Sequence, residues 1–322
     1  MKKTISRVAL AAMCLWALRG NASAQELLIP GGQVIGLQLY NHTVTVAAFD
    51  DVLGGDSKAA GLQIGDEIFC VDGHRTGSAQ DVCAALDRSD GTVELRVKRG
   101  GKEKRLSIKP RITDQGPRLG VYLRDGVTGI GTVTWYDPDS GKFGTLGHGV
   151  NSADGKLLQM TKGTAYNAQV AAVKKGTSGE PGQLKGAVAP NQEVGTLYRN
   201  TQQGVFGSSC RGWKGEALPV GEAAHIHTGA ATIRSTVIGD ATQEYSVEIL
   251  KIYPGSRPDG RNLLLKVTDP ALLEATGGIV QGMSGSPIIQ DGKLIGAVTH
   301  VLVNDPQTGY GIFIENMLEA AS

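Results

Sequence analysis

Apolar and polar positions alternate in short runs along most of the chain, and Gly, Asn, Asp and Pro punctuate the runs. A period of two predicts short strands rather than long helices. Leu37-Gln38-Leu39 and Val44-Thr45-Val46-Ala47 are two such strands, around a polar turn at Asn41-His42. Glu67 to Val71 is a third. Ser78 to Leu86 breaks the period, because Val82, Ala85 and Leu86 recur at helical spacing behind Ser78, a good N-cap. Thr92 to Val97 and Lys104 to Ile108 alternate as a hairpin around Arg99-Gly100-Gly101-Lys102, and Val127 to Trp135 is a glycine-punctuated strand. Near the C-terminus, Ile288-Ile289, Leu294 to Val298 and Tyr310 to Ile314 are strands separated by turns at Asp291-Gly292 and Asn304-Asp305-Pro306. A short helix is predicted at Pro270 to Glu274, with proline at its first position and Asp269 as its cap.

The first 24 residues follow another pattern. Lys2, Lys3 and Arg7 precede an apolar run from Val8 to Leu18, and Ala22-Ser23-Ala24 follows as a small-residue cleavage site. This predicts a signal peptide removed before Gln25. The run is shorter than the ~20 residues that span a bilayer. The alternative is a retained N-terminal anchor, with Arg19 reaching the far interface. No later run is long or apolar enough to cross, so the expected mature chain is exported and soluble.

Composition narrows the function. The 322 residues allow two domains. Lys and Arg number 32 against 31 Asp and Glu, so no basic excess exists to neutralise a nucleic-acid backbone. Forty-six glycines with 5% aromatic residues favour many tight turns. Beyond Cys14 of the leader, Cys70, Cys83 and Cys210 allow at most one internal pair, and no C-x-x-C spacing occurs. Cys70 and Cys83 are expected as small buried apolar residues.

Between residues 27 and 112 the order is strand, strand, Ala60-Gly61-Leu62-Gln63-Ile64-Gly65-Asp66, strand, helix, strand, strand. This resembles a PDZ domain. The resemblance implies a peptide C-terminus or internal strand added beside a sheet edge, with its carboxylate taken by backbone N–H groups of a Gly-containing loop. The expected loop is Ile35-Gly36-Leu37, where Gly36 lets the ligand approach closely.

Gly282-Met283-Ser284-Gly285-Ser286-Pro287 is the sharpest motif. Small neighbours let a substrate backbone reach Ser284, and the N–H groups of Gly282 and Ser284 can converge on an oxyanion. With its following hairpin, the motif resembles the G-x-S-G-G-P element of chymotrypsin-like serine peptidases. A nucleophilic serine needs a base, and the base an orienting acid. His148, in Leu146-Gly147-His148-Gly149, is the base candidate. Asp269, 15 residues before Ser284, is the favoured acid, although it equally fits a helix cap; Asp154 and Asp240 are the alternatives. The expected fold class is mainly β, a PDZ domain followed by a chymotrypsin-like double β-barrel over residues 113–322. His225-Ile226-His227 with Glu222 offers a metal set, but without an H-E-x-x-H or Cys pair it is better taken as an exposed strand edge. No metal and no cofactor are expected.

Further motifs extend the likeness: Ile29-Pro30-Gly31-Gly32-Gln33, Gly129-Ile130-Gly131-Thr132, Gly278 to Pro287, Gly292 to His300 and Gly309-Tyr310-Gly311. In that order they resemble the SpoIVB family of serine peptidases of endospore-forming bacteria, over nearly all of the mature chain. The resemblance implies His148, Asp269 and Ser284 as the triad. It implies export from the forespore into the space between the two membranes around it. There the family cleaves the extracytoplasmic part of a membrane-bound regulator, which activates an intramembrane protease and leads to processing of a late sigma-factor precursor. The PDZ domain is implied to engage targets and to control self-cleavage in trans. Only Gln25 to Ile29 separate the expected leader from Pro30, where family members carry a longer segment with the self-cleavage site. The competing class is a PDZ peptide-binding module with an inactive peptidase-like domain; the presence of both Ser284 and His148 speaks for the enzyme.

Overall fold

Two 16-residue strands, β2 (Val34–Phe49) and β9 (Val121–Tyr136), run through both halves of the architecture. The computed structural model describes residues 26–152, 155–237, 239, 241–255, 257 and 259–322. The expected leader lies outside these residues, as do Asp154 and Asp240.

The start of β2 and the end of β9 pair with each other from Val34↔Thr132 to Tyr40↔Gly126. β10 (Lys142–Thr145), β11 (Lys162–Lys174), β12 (Gln183–Thr201) and β13 (Gly204–Ser209) complete a closed barrel in the order β9-β10-β13-β12-β11-β2. β1 (Leu27–Pro30) continues along β9 and also pairs with β14 (Leu218–Pro219). Inward residues such as Ile35, Leu37, Leu39, Val133, Phe143, Leu197 and Val205 fill this barrel. The second barrel closes in the order β15 (Gly229–Ser235), β16 (Gln243–Ile252), β17 (Leu263–Val267), β20 (Asp305–Phe313), β19 (Lys293–Leu302) and β18 (Pro287–Gln290). Ile233, Val247, Leu265, Ile288 and Val298 lie in its core. The C-terminal helix α4 (Ile314–Ala321) places Ile314 and Met317 against Leu28, Trp135 and Phe206, tying the barrels together. Closure leaves neither barrel with a bare edge.

The PDZ unit is built from the other ends of β2 and β9. It contains α1 (Gly55–Ala59), β3 (Glu67–Val71), β4 (His74–Arg75), α2 (Ala79–Leu86), β5 (Val93–Arg99), β6 (Lys102–Ile108) and the hairpin of β7 (Arg111–Thr113) with β8 (Gly116–Arg118). Its core joins Val44, Val46, Leu62, Ile68, Val82, Leu86, Leu95, Val97 and Leu119. Ser78 accepts a hydrogen bond from the Asp81 N–H as the expected cap. Asp66 explains the G-L-x-x-G-D signature. Its buried carboxylate takes two hydrogen bonds from Arg99, each 2.6 Å, and one from the Gln63 N–H at 2.9 Å. Losing Arg99 would leave that charge buried and unpaired, at a cost of about 3–5 kcal/mol.

Two expectations are corrected. Asn41-His42 is no turn: β2 runs straight through it, and the register against β9 slips between Tyr40 and Thr45, where the strand leaves the barrel for the PDZ unit. The PDZ unit also does not simply precede the peptidase. Its core spans residues 44–123 rather than 27–112, so it interrupts the first barrel between β2 and β9, and residues 27–40 belong to that barrel. Alternation reveals a strand and its two faces but not its partners.

Candidate active site

A cleft of about 320 Å³ opens between the barrels. Leu37 and Leu39 of β2, Gly129 and Ile130 of β9, and His148 on the turn after β10 line one wall. Gln281, Gly282 and Ser284, on the turn before β18, line the other. The sequence motifs around His148 and Ser284, 136 residues apart, thus meet in one cavity.

Ser284 sits on a turn held from both barrels. The Thr132 N–H donates to the Ser284 carbonyl at 3.0 Å, and Thr132 Oγ1 to the Gly282 carbonyl at 2.8 Å. Thr134 Oγ1 donates to the Gly285 carbonyl at 2.8 Å, and the Gly285 N–H to Val298 at 2.7 Å. Gly285 has φ +97°, and a Cβ there would lie 2.0 Å from the Thr132 carbonyl oxygen, so no other residue fits. Among the described residues, the N–H groups of Gly282 and Ser284 make no hydrogen bond. Two free donors beside a nucleophile are what an oxyanion site requires. The Ser284 hydroxyl itself donates to the Thr299 carbonyl at 2.9 Å. Ser286, the neighbouring hydroxyl, is fully buried and cannot meet a substrate.

His148 follows a tight turn at Leu146 and Gly147, both in the left-handed region. Thr145 Oγ1 donates to the Thr132 carbonyl at 2.6 Å, so Thr132 ties this turn to the Ser284 turn as well. His148 Nδ1 lies 3.0 Å from the Gly149 carbonyl, which leaves Nε2 for the serine. Burial lowers its pKa below the ordinary imidazole value, and the Gly149 carbonyl partly opposes this. The imidazole is therefore neutral around neutral pH. The ring of His300, on β19, lies 5.3 Å away between centroids at an interplanar angle of 43°.

Asp269 is not brought to the imidazole. Its carboxylate caps α3 (Pro270–Thr276), accepting from the N–H groups of Ala271 at 3.0 Å, Leu272 at 3.1 Å and Ser246 at 3.3 Å. No hydrogen bond or ion pair joins it to His148. The capping reading of Asp269-Pro270 describes this geometry.

The chain belongs to the SpoIVB peptidase S55 family. That family's model matches residues 115–318, more than half of the chain, and a PDZ domain model matches residues 55–99. As an S55 peptidase the protein is a serine endopeptidase, with Ser284 and His148 inside the matched region. A comparison with curated proteins finds no match. Among solved structures, the inactive form of the Rv3671c protease is similar at 14% identity, over 59% of this chain and 82% of that one, with a TM-score of 0.34. The active form of the same protease, from M. tuberculosis, is similar at 14% identity over 61% and 75%, with a TM-score of 0.37.

The expected PDZ loop is also corrected. Gly36 lies inside the first barrel, paired with Ile130 of β9 on one side and Tyr166 of β11 on the other. Ile35, Gly36 and Leu37 have no free edge to which a peptide could add. Leu37 lines the active-site cleft instead. The groove of the PDZ unit, about 490 Å³, lies between α2 and the start of β9. Val82, Cys83 and Leu86 form one wall, and Leu119 to Leu123 the other. The N–H groups of Leu119 and Gly120 make no hydrogen bond among the described residues. The signal was present in sequence, as a glycine between apolar residues at Leu119-Gly120-Val121, but on the C-terminal side of the helix. The histidine pair lies on a short 3₁₀ turn (Ala223–His225) and beyond it rather than on a strand edge. His225 faces Glu222 at 3.4 Å and His227 faces Asp291 at 2.9 Å, so the two imidazoles have different partners.

Proposed function

We propose that Ser284 is the nucleophile and His148 the general base of this peptidase, working in the cleft between the two barrels. The observation that carries the reading is the free pair of N–H groups at Gly282 and Ser284, in the same cavity as His148. The hydroxyl leaves the Thr299 carbonyl by rotation about χ1, and His148 Nε2 takes its proton as Oγ attacks the scissile carbonyl. The oxyanion is stabilised by the two N–H groups. The imidazolium then gives its proton to the leaving amine, and water, deprotonated by the same nitrogen, releases the acyl group. Labelling of the intact protein by a fluorophosphonate at Ser284 tests this. Ser284→Ala is expected to abolish labelling and peptide hydrolysis with little change in thermal unfolding. Hydrolysis surviving in that variant would overturn the assignment.

The substrate is a protein caught by the PDZ groove as an added strand, with its C-terminal carboxylate at the N–H groups of Leu119 and Gly120. The likeness of the whole motif series to the SpoIVB peptidases supports a role in sporulation signalling. In that reading the chain is exported by its N-terminal segment into the space between forespore and mother cell. There it cleaves the extracytoplasmic part of a membrane-bound regulator and so activates an intramembrane protease. Cleavage of that regulator's extracytoplasmic domain by the wild type, and not by Ser284→Ala, is the corresponding assay.

A further inference from the structure

We propose that β9 is one continuous track for a substrate strand, so that the enzyme cuts an extended tail about ten residues before its free C-terminal carboxylate. The inference rests on both readings above, Ser284 with His148 as the catalytic pair and the Leu119–Leu123 groove as the place of the carboxylate, and it joins them. The substrate class is a protein whose flexible C-terminal tail is unblocked and ends in an apolar residue.

The same strand serves both sites. Its first residues, with Leu119 and Gly120 before them, form a wall of the PDZ groove, and Gly129 and Ile130 further along line the catalytic cleft. On one side β9 pairs with β2. Both slips in that pairing place the extra residues in β2, so β9 itself runs on from Val121 to Tyr136 without interruption. β10 takes the other side of β9 only from Val133 onward, and among the described residues no strand pairs with that side between Val121 and Ile130. The Thr132 N–H, which donates to the Ser284 carbonyl at 3.0 Å, marks this side as the one facing the cleft. Backbone groups alternate along a strand, so the N–H and C=O groups of Thr128 and Ile130 point the same way. Such a row of groups is what an added strand pairs with. Thr128 and Gly129 are exposed. A second cleft, of about 930 Å³, shares Val127 and Asn151 with the catalytic cleft and reaches Arg124, which gives room to the side chains of a strand laid between the two sites.

The polarity of the substrate agrees at both ends. In the groove its carboxylate lies at Leu119 and Gly120, so the peptide runs antiparallel to β9. In the cleft the leaving amine takes its proton from His148, which shares a wall with Gly129 and Ile130. The half after the scissile bond therefore departs along that wall, from Ile130 towards the start of β9. Ile130 and Gly120 are ten residues apart, about 33 Å at the rise of a strand. A peptide strand beside them covers the same span with a similar number of residues. Strand addition is held by main-chain hydrogen bonds, so the distance to the carboxylate, more than the sequence around the bond, sets the cut. The last side chain meets the buried Val82, Leu86 and Leu119, which favour an apolar residue there.

The test is the pattern of cuts made by the full chain in synthetic peptide acids of identical repeats ending in valine, read by mass spectrometry. Identical repeats offer the same bond at many distances, so only position can select among them. Cuts are expected to cluster about ten residues from the carboxylate and to keep that distance as repeats are added. Equal cutting at every repeat, or a fixed distance from the N-terminus, overturns the proposal. Amidation of the C-terminus is expected to spread the cuts and to lower kcat/KM at the favoured bond at least about 10-fold, because hydrogen bonds to a charged group are lost. A pattern untouched by amidation also overturns it. Thr128→Pro removes one cleft-facing N–H of the track and is expected to spread the cuts as well; wild-type cutting in that variant counts against the track, and the repeat series on the wild type decides if the variant fails to fold. Binding of the labelled peptides to the Ser284→Ala chain, followed by fluorescence anisotropy, separates the readings. Preference for the acid over the amide, with cuts that ignore the C-terminus, sinks the track alone. No preference for the acid sinks the groove reading and the track with it. Hydrolysis by Ser284→Ala sinks the assignment of the nucleophile.

Discussion

Thr132→Val should separate the assembly of the oxyanion turn from the stability of the barrels. Thr132 is fully buried in β9 and makes four hydrogen bonds: its N–H donates to the Ser284 carbonyl, its hydroxyl to the Gly282 carbonyl, and its own carbonyl accepts from the Thr145 hydroxyl and the Leu146 N–H. Valine keeps the shape and the backbone bonds and removes one interaction, the 2.8 Å bond to the Gly282 carbonyl. Leaving that acceptor unpaired costs about 1–3 kcal/mol. In a chain of this size each kcal/mol lowers the melting temperature by about 2–4 °C. The catalytic effect has a different origin. Gly282 has φ +99°, and the Thr132 hydroxyl helps hold it there, with its N–H directed to the cleft. Complete loss of one oxyanion donor costs about 10²–10³ in kcat, which sets the ceiling. A loosened donor is expected to cost about 10-fold in kcat with little change in KM, because the bond matters most when charge develops. Thr132→Ser restores the hydroxyl and should return kcat to near the wild-type value. The assay is hydrolysis of a short peptide, with melting curves on the same samples. Wild-type kcat in the Val variant, or equal damage in the Val and Ser variants, would refute the reasoning.

The corrected PDZ groove predicts a contrast between two glycines. Gly120→Val, which puts a Cβ 2.3 Å from the Leu53 backbone at φ +66°, should distort the loop that carries the groove's free N–H groups, lowering the melting temperature and slowing cleavage of a protein substrate while sparing a short peptide. Gly36→Val should lower the melting temperature and both activities, since a Cβ there would lie 2.6 Å from the Val188 side chain on the outer face of the barrel. Equal effects of the two on both substrates would remove peptide capture from the Leu119–Leu123 groove. The capping role of Asp269 predicts that Asp269→Ala lowers stability by about 1 kcal/mol, while Asp269→Asn, also a good cap, barely changes it. Hydrolysis should follow stability in both, as urea unfolding and peptide turnover would show. An Asn variant that is stable yet inactive would mean that the carboxylate reaches His148 once substrate is bound.

The peptide loop of the PDZ unit and the turn around Ser284 differ in the range of the interactions that make them. The turn around Ser284 is written locally, in glycines that permit its backbone and in the alternating hairpin behind it. The Ser78 cap and the Gly100-Gly101 turn are local too, and the sequence determined all of them. The mainly β class follows from the period of two alone. What sequence could not supply was the choice of partners. Leu37 and Val46 alternate alike, yet one faces a barrel core and the other the PDZ core, because β2 crosses from one to the other at Asn41-His42. Only closure of the barrel by β2 on β9 gave Gly36 two neighbours and Leu119-Gly120 a groove. Only tertiary packing placed Thr132 beside the Ser284 turn and His300 against His148. Asp269 carried two sequence meanings, acid or cap, and both require the same side chain. The fold decides which hydrogen bonds it makes: the N–H groups of Ala271 and Leu272 hold one carboxylate oxygen, and the N–H of Ser246, brought in from β16, holds the other.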